Sequence, residues 1–368
     1  MPSRRIKASE KQQYSSGGGA EGNQCSEPAA KQLGFNVARL KAFLVTALPH
    51  VRGAMSIEQV DGGQSNPTYF LHFDSHDLVL RKRPAGRLLP SAHSIDREFR
   101  VLTALKKTPI PVPEPLLYHG DTDLIGTDFY IMERVPGRVF HDSALTEVAP
   151  AERRSMYASA AETLALLHSL DAQSTGLSDF GKPQSYYARQ LTRWSQQWKM
   201  SKTARNPDIE LLIDWLPKNI PVGREGGSLV HGDFRIGNLI FHPRLPKVIA
   251  VLDWELSTLG HPLADLAHFC AFTWHMTSQE YHGIADLDVD LFSLPNEQEF
   301  CGYYYAAAKT VERLQRFDIA FALFRSALIF DGIAARAELG NAAASNAHLV
   351  GGISRNLAQR AATLIRQR

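Results

Sequence analysis

The hydrophobic and polar positions of this chain divide it into a region of short alternating runs and a longer region of helical periodicity. Alternation predicts strands at residues 56–60, 68–73, 77–83 and 129–133. Helical spacing predicts helices at 35–47 and 95–105, and it dominates from Glu152 onward, interrupted by one predicted strand pair between Asn238 and Trp254. A small sheet followed by a larger helical part is typical of an α+β fold with two lobes.

Breaks in this pattern set the predicted domain boundaries. Residues 1–33 are rich in Gly, Ser, Gln and Glu and carry few large apolar side chains, which predicts a mobile tail. Residues 34–135 form the predicted N-lobe, a small antiparallel sheet with helices, and residues 136–368 form the predicted helical C-lobe. Four prolines between 109 and 115 predict an extended connector after the helix at 95–105.

Composition removes several classes of function. The formal net charge of +2 does not favour nucleic acid or a membrane surface as the main partner. The three cysteines, Cys25, Cys270 and Cys301, are widely separated and match neither a disulfide framework nor a zinc site. No apolar run reaches the roughly 18 residues of a membrane span, and no secretory signal is evident, so we expect a cytoplasmic protein. The oligomeric state is left open.

The chemistry-bearing residues are concentrated around the predicted strand pair. Asp233 and Asn238 follow His231-Gly232, and Asp253 ends the second strand of the pair. If the two strands are antiparallel, the start of one lies beside the end of the other, which brings Asn238 and Asp253 to the same end of a hairpin. Phosphoryl transfer needs such a set of oxygen ligands, because magnesium prefers carboxylate and amide oxygens and one carboxylate orients the attacking hydroxyl. The alternative is that both aspartates only cap a turn and a helix.

This pattern resembles the aminoglycoside phosphotransferase-like family, whose protein-kinase-like members share a His-Gly-Asp loop, an asparagine five residues on, and a strand that ends in Asp-Trp or Asp-Phe. It resembles more closely the kinase-like domain that precedes the dehydrogenase domain in some acyl-CoA dehydrogenase family proteins, and the free-standing bacterial relatives of that domain. The segments that carry this closer match are residues 62–69, 79–84, 89–93 and 253–260. The resemblance implies an enzyme that transfers phosphate from Mg²⁺-ATP to the hydroxyl of a small molecule, with Asp233 as catalytic base and Asn238 and Asp253 as magnesium ligands.

The resemblance also implies a nucleotide site. A turn between the first two strands would cover the phosphates with backbone N–H groups, and Glu98 would pair with a cation on the third strand. That cation is Arg81 or its neighbour Lys82, and we favour Arg81 because it directly follows an apolar triplet. The hinge would offer backbone groups to adenine. The remaining residues implied in nucleotide binding are Gly62, Gly63, Gln64 and Ser65 in the turn, and Glu133 and Val135 at the hinge.

Other polar residues receive structural interpretations. His231 and Asp265 are predicted to organise the loop around Asp233. His261, His268 and His275 recur every seven residues, a spacing too long for one tetrahedral metal site, so core or surface positions are expected.

The acceptor is the least determined part of the prediction. Residues 181–206 carry six Lys or Arg residues and no acidic residue, which favours an anionic substrate such as a hydroxyacyl-CoA thioester if the segment borders the acceptor site. An aminoglycoside, sugar or alcohol kinase and a nucleotide-binding pseudokinase that serves as an interaction module remain the alternatives.

Overall fold

The chain folds into an antiparallel sheet followed by a large helical part, the α+β arrangement predicted from the sequence. The computed structural model describes residues 33–60, 66–84, 94–201, 205–338 and 347–367. The predicted tail falls, apart from Leu33, outside the described residues, as do the segment 89–93 and Lys202 of the basic run.

A five-stranded antiparallel sheet occupies the N-terminal part, with the strand order β1-β2-β3-β5-β4. Its strands are β1 (Met55–Gln59), β2 (Thr68–Phe73), β3 (Asp77–Lys82), β4 (Pro115–His119) and β5 (Phe129–Glu133). Burial alternates along β2, as expected for a strand with one face on a core. That core lies between the sheet and helix α1 (Val37–Ala47), whose first turn is capped by the side chain of Asn36 accepting a hydrogen bond from the Arg39 N–H.

Helix α2 (Ile95–Leu105) packs on the other face of the sheet and faces the helical part. Glu98 is one of the buried residues of this helix, with 1% of its surface exposed. The helix therefore places a carboxylate in the interior, beside β3 and β5. A buried carboxylate needs partners, and those partners define one side of the site described below.

The helical part surrounds two small sheets. Its helices are α3 (Pro150–His168), α4 (Tyr186–Met200), α5 (Pro207–Trp215), α6 (Pro262–Trp274), α7 (Ser278–Tyr281), α8 (Glu297–Ala308), α9 (Arg316–Glu338) and α10 (Ala347–Arg366). Helix α6 begins where Pro262 occupies the first turn and His261 accepts a hydrogen bond from the Leu263 N–H, two local signals for a helix start. The α6 residues from Leu263 to Thr273 are all buried, so this helix forms the centre of the C-terminal core.

The prediction of a single strand pair in the helical part was wrong. Strands β8 (Leu239–Phe241) and β9 (Val248–Val251) do pair, but β6 (Arg138–Val139) joins them as a third strand. A separate pair is formed by β7 (Ser228–Val230) and β10 (Thr258–Gly260), and the connector after α2 contains the edge strand β4. Strands of two or three residues are too short to show a period, which is why alternation did not predict them.

Within the described residues no helix is long and apolar enough to cross a membrane. We propose that the change of architecture after Glu133 marks the boundary between an N-lobe of residues 34–135 and a C-lobe of residues 136–368.

Candidate active site

The loop between β7 and β8 carries the predicted catalytic residue and is shaped by a glycine. Gly232 has a φ of 83°, and a Cβ at this position would lie 2.6 Å from the carbonyl oxygen of Leu256. Only glycine fits both the left-handed backbone and this close approach. The loop then passes Asp233 and ends in a 3₁₀ turn at Ile236–Asn238 that leads into β8.

Asp265 on α6 anchors the backbone of this loop, as the sequence predicted. Its carboxylate accepts hydrogen bonds from the backbone N–H of His231 at 2.6 Å and of Gly232 at 2.8 Å. Burial acts to raise the pKa of Asp265, but the hydrogen bond from His168 and the other donors outweigh it and hold the pKa below its ordinary value. From α9, Arg325 donates to the Gly232 carbonyl oxygen at 2.7 Å. The loop is therefore fixed from two helices.

His231 organises the same loop rather than acting on a substrate. Its Nδ1 accepts a hydrogen bond from the Asp233 N–H at 3.1 Å, and its Nε2 donates to the carbonyl oxygen of Leu252 at 2.8 Å. The ring thereby joins the catalytic loop to the end of β9.

The carboxylate of Asp233 is held by several donors and remains 22% exposed. Oδ1 accepts from His268 Nε2 at 2.9 Å, Oδ2 accepts from Asn238 Nδ2 at 2.8 Å, and Arg235 Nε lies 3.5 Å from Oδ2. Burial acts to raise the pKa of Asp233, but Arg235 and the hydrogen bond from His268 hold this pKa well below its usual range. An ionised, partly exposed and oriented carboxylate can accept a hydrogen bond from a hydroxyl group and hold it in position for attack.

Asn238 links Asp233 to the end of the hairpin. Its Nδ2 also donates to the Asp233 carbonyl oxygen at 2.8 Å, so this nitrogen donates to both the backbone and the side chain of Asp233. The Oδ1 of Asn238 is the atom that could serve as a metal ligand. The Leu252 N–H donates to the Asn238 carbonyl oxygen at 2.8 Å. Asn238 and Asp253 thus lie at the same end of the β8–β9 hairpin, as predicted.

Asp253 has a strained backbone and faces the other side of the cleft. Its φ of 66° is in the left-handed region, which costs a non-glycine residue about 1–3 kcal/mol. Its Oδ1 lies 3.1 Å from Nη2 of Arg81. The loop conformation therefore directs this carboxylate toward β3 and away from the C-lobe interior.

Arg81 rather than Lys82 faces the cleft. The Nε of Arg81 lies 3.3 Å from Oε2 of Glu98, so a single guanidinium bridges Glu98 and Asp253. Lys82 points to the opposite face of the sheet, where its Nζ lies 5.3 Å from the centre of the Phe35 ring. Burial lowers the pKa of Lys82 in that apolar setting.

Glu98 is supported by neutral donors as well as by Arg81. Asn66 Nδ2 donates to Oε1 at 2.6 Å and the Tyr130 hydroxyl donates to Oε2 at 3.0 Å. Burial raises the pKa of Glu98, and Arg81 and these hydrogen bonds oppose that rise. Asn66, which directly follows residues 62–65 in the sequence, is therefore tied to the Arg81–Glu98 pair.

The carboxylates of Glu98, Asp253 and Glu255 place ligand oxygens within 4.8 Å of one another. Hard oxygen donors at this separation fit a divalent cation such as Mg²⁺. Asp253, predicted as a ligand, is in this group, and Glu255 was missed. Its position two residues after Asp253 was the available signal, but a lone glutamate in a loop is not specific.

The structure tests only part of the predicted nucleotide site. Gly62, Gly63, Gln64 and Ser65 lie outside the described residues. At the hinge, the Glu133 N–H already donates to the Glu114 carbonyl oxygen at 2.9 Å, and Val135 is half-buried. The roles of these residues stay predictions.

Three residues that contact the loop at Gly232 and Asp233 were not predicted from the sequence, namely Arg235, His268 and Arg325. Arg235 also lies over the ring of Tyr281 on α7, at 5.3 Å from the ring centre. His268 was expected in the core or at the surface; it is buried, but it contacts the catalytic loop. The only signal was its position three residues after Asp265, which places both on one face of α6.

Several basic side chains of the segment at 181–206 contact residues of the same segment or its immediate neighbours rather than residues of the catalytic loop. Arg205 pairs with Glu210, Arg193 lies over the ring of Trp194, and Arg189 donates to the Lys182 carbonyl oxygen. The cations that the described structure places at the catalytic loop are Arg235 and Arg325. That the basic segment borders the acceptor site therefore stays a hypothesis.

The comparisons with known proteins agree with this geometry. Residues 56–300 match the phosphotransferase enzyme family. Acyl-CoA dehydrogenase family member 11 of Gallus gallus is 42% identical over 327 residues, which cover 86% of this chain and 42% of that protein. The chain thus spans less than half the length of this relative.

Two solved structures show the same fold. A candidate aminoglycoside phosphotransferase from Ralstonia eutropha superimposes with a TM-score of 0.80 at 38% identity, over 90% of this chain and 99% of that one. The aminoglycoside phosphotransferase APH(4)-Ia superimposes with a TM-score of 0.59 at 14% identity, over 90% of this chain and 100% of that one. The family match covers most of the folded chain, including the catalytic loop and the Arg81–Glu98 pair, and the predicted kinase-like α+β fold is confirmed. The chain belongs to the phosphotransferase enzyme family, whose members transfer phosphate to hydroxyl groups of small molecules.

Proposed function

We propose that this protein uses Mg²⁺-ATP to phosphorylate a hydroxyl group of a small molecule, with Asp233 as the catalytic base. The observation that carries this proposal is the placement of the Asp233 carboxylate on the loop before β8 and of the Asp253 carboxylate two residues after β9, where Arg81 joins Asp253 to Glu98. In the reaction the acceptor oxygen bonds to the terminal phosphorus of ATP, the bond to the ADP oxygen breaks, and Asp233 takes the hydroxyl proton. The proton then passes to solvent through the exposed edge of the carboxylate.

The metal would be held by Asn238 Oδ1 and Asp253, with Glu255 close enough to contribute directly or through water. Magnesium would supply charge neutralisation on the phosphate oxygens. Arg81, oriented by Glu98, would place the nucleotide phosphates, aided by the turn at Gly62, Gly63, Gln64 and Ser65. Glu133 and Val135 would supply hinge contacts to adenine. The APH(4)-Ia structure, determined with AMP-PNP and hygromycin B, supports nucleotide use by this fold.

For the acceptor, we propose a hydroxyacyl-CoA thioester. Similarity to acyl-CoA dehydrogenase family member 11 supports it, because a kinase-like region in such a protein would act on acyl thioesters. Arg235, which is 24% exposed beside Asp233, also favours an anionic acceptor, whereas an aminoglycoside is a polycation and is favoured by carboxylates. The buried free thiols of Cys270 and Cys301 suit a reducing, cytoplasmic setting.

The test is a phosphotransfer screen by mass spectrometry with Mg²⁺-ATP, using hydroxyacyl-CoA thioesters of several chain lengths in one panel and aminoglycosides, sugars and simple alcohols in another. Asp233→Asn protein is the blank. Gain of one phosphate in the thioester panel only, absent from the blank, is the expected result. Turnover in the second panel alone would overturn the thioester assignment, and nucleotide binding without turnover in either panel would favour the pseudokinase alternative.

A further inference from the structure

We propose that His268 is a positioning residue: its neutral imidazole donates from Nε2 to Oδ1 of Asp233 and fixes the carboxylate for proton abstraction. This inference rests on the proposed function, because it assigns a role relative to Asp233. It is carried by the geometry of helix α6, by the burial of the ring and by the partners of its two nitrogens.

One face of α6 holds both the backbone and the reactive side chain of the catalytic loop. Asp265 binds the backbone of His231 and Gly232, and His268, one turn later, binds the side chain of Asp233 at 2.9 Å. Residues three apart on a helix share a face. The backbone of the loop and the side chain of Asp233 are therefore both held by helix α6. The position of Asp233 is set by this helix as well as by the loop.

The protonation state of the ring follows from its partners. An ionised carboxylate only accepts hydrogen bonds, so the proton of a neutral imidazole must be on Nε2. The ring is 3% exposed, and burial lowers the pKa of His268, although the hydrogen bond to Asp233 acts in the opposite direction. Arg325 lowers this pKa as well. Burial and Arg325 thus favour the neutral imidazole, which is the form that the contact with Asp233 requires to donate from Nε2 alone.

The other ring nitrogen finds no hydrogen-bond partner in the described part of the chain. Nδ1 of His268 is buried, and no hydrogen bond satisfies it among the described residues. A buried polar atom without a partner is unfavourable, and such atoms persist where another property of the residue is needed. Here the needed property is the Nε2 donor, because an apolar side chain would fill the same space without leaving an unsatisfied atom.

The Nε2 donor also excludes a relay through the contact with Asp233. Nε2 already carries the proton that it donates, so this nitrogen has no lone pair with which to accept a second proton from the carboxylate. Phe272, one turn further along α6, packs at 4.4 Å between ring centres and limits rotation of the imidazole. His268 therefore orients Asp233, and the abstracted proton leaves from Asp233 itself.

Substitution separates this role from a structural one. His268→Leu removes both the donor and the unsatisfied Nδ1, so we expect an unchanged or higher Tm together with a kcat lower by about 10- to 100-fold. The KM for ATP should stay within about twofold of wild type, because the nucleotide contacts lie across the cleft. His268→Gln restores a donor at nearly the same distance along the side chain and should return kcat to within about fivefold of wild type.

Cys270→Ala is the matched control. Cys270 is buried on the same helix, but its Sγ faces the Sγ of Cys301 on α8 at 3.7 Å. Loss of packing there should lower Tm and leave kcat unchanged. His268→Leu is thus expected to lower kcat without lowering Tm, and Cys270→Ala to lower Tm without lowering kcat. A purely structural role of His268 would not produce this contrast.

A spectroscopic measurement on the wild-type protein tests the inference without turnover. Two-bond ¹H–¹⁵N correlation spectra of histidine-labelled protein at pH 7 should show His268 as the neutral Nε2–H tautomer, assigned by its absence in His268→Gln. An imidazolium or an Nδ1–H tautomer would overturn the proposal, and so would wild-type kcat in His268→Leu. Activity of Asp233→Asn would instead overturn the proposed base while leaving the tautomer measurement intact, so the two failures are distinguishable.

Discussion

The two sides of the cleft differ in how they balance charge. On the nucleotide side one guanidinium, that of Arg81, faces the carboxylates of Glu98 and Asp253, and Glu255 lies within the same 4.8 Å group. On the acceptor side one carboxylate, that of Asp233, is surrounded by Arg235, His268 and Asn238. The first side has an excess of negative charge and the second does not.

This difference indicates that the two sides have different roles, one in binding metal and nucleotide and the other in binding and activating the acceptor. The side proposed to bind the nucleotide groups three carboxylate oxygens around one guanidinium, an arrangement that suits a metal that enters with phosphates. On the acceptor side the single carboxylate of Asp233 is balanced by Arg235 and by the neutral donors His268 and Asn238, so these groups carry no net negative charge that would repel an anionic substrate. A substitution on one side should therefore affect binding of metal and nucleotide, and one on the other should affect the chemical step or the acceptor.

The largest effect is expected for Asp233→Asn, which keeps the shape of the side chain and removes the base. General-base catalysis contributes about 10²- to 10⁴-fold, so kcat should fall by about 10³-fold. Affinity for Mg²⁺-ATP, measured by calorimetry, should be unchanged. A parallel loss of nucleotide affinity would show that the two sides are not separable.

Asp253→Asn should remove most of the increase in ATP affinity that Mg²⁺ provides. Loss of a metal-ligand charge should weaken Mg²⁺-ATP binding by about 10- to 100-fold, since metal contacts contribute several kcal/mol, and ATP affinity measured without metal should change little. The check is the ratio of the two dissociation constants. An unchanged ratio would place the metal elsewhere.

Arg81→Lys tests whether the bridge between Glu98 and Asp253 requires a guanidinium. A single ammonium cannot reproduce the planar, multi-donor contacts of arginine, so we expect the KM for ATP to rise by about tenfold with a smaller change in kcat. Steady-state kinetics with ATP as the varied substrate provide the measurement.

Lys82→Met is the matched control for that change. Lys82 lies on the opposite face of β3 against Phe35, so ATP kinetics should remain at wild-type values. A rise in the KM for ATP with Lys82→Met, but not with Arg81→Lys, would reverse the assignment of the phosphate-binding cation.

The smallest effect is expected for Arg235→Gln. Arg235 is 24% exposed, and partly solvated charges contribute about 1 kcal/mol, so the KM for an anionic acceptor should rise by about fivefold. The KM for a neutral alcohol acceptor should not change. Equal changes for both acceptors would contradict the charge preference assigned to this side.

Much of the fold could be predicted because its elements are long enough to show a period. Helix α2 and strand β2 were predicted with their observed bounds, and the alternation in β3 correctly sent Arg81 and Lys82 to opposite faces. Strands β6, β7 and β10, of two or three residues, show no period and are defined by their partners in space. Glu255 could not be predicted as a candidate metal ligand for a similar reason. It becomes one only because the fold brings it close to Glu98 of α2 and to Asp253 after β9.

The sequence alone determined the hairpin that carries Asn238 and Asp253, and the loop that carries Asp233, because these residues are joined by short stretches of chain whose turns are locally encoded. Only the tertiary structure decided which groups face them. The contact of Asp233 with His268 spans 35 residues, that of Gly232 with Arg325 spans 93, and that of Arg81 with Asp253 spans 172. Contacts at such separations arise when buried helix and sheet faces pack together, and the packing selects the partners by shape and burial rather than by any pattern in the neighbouring sequence.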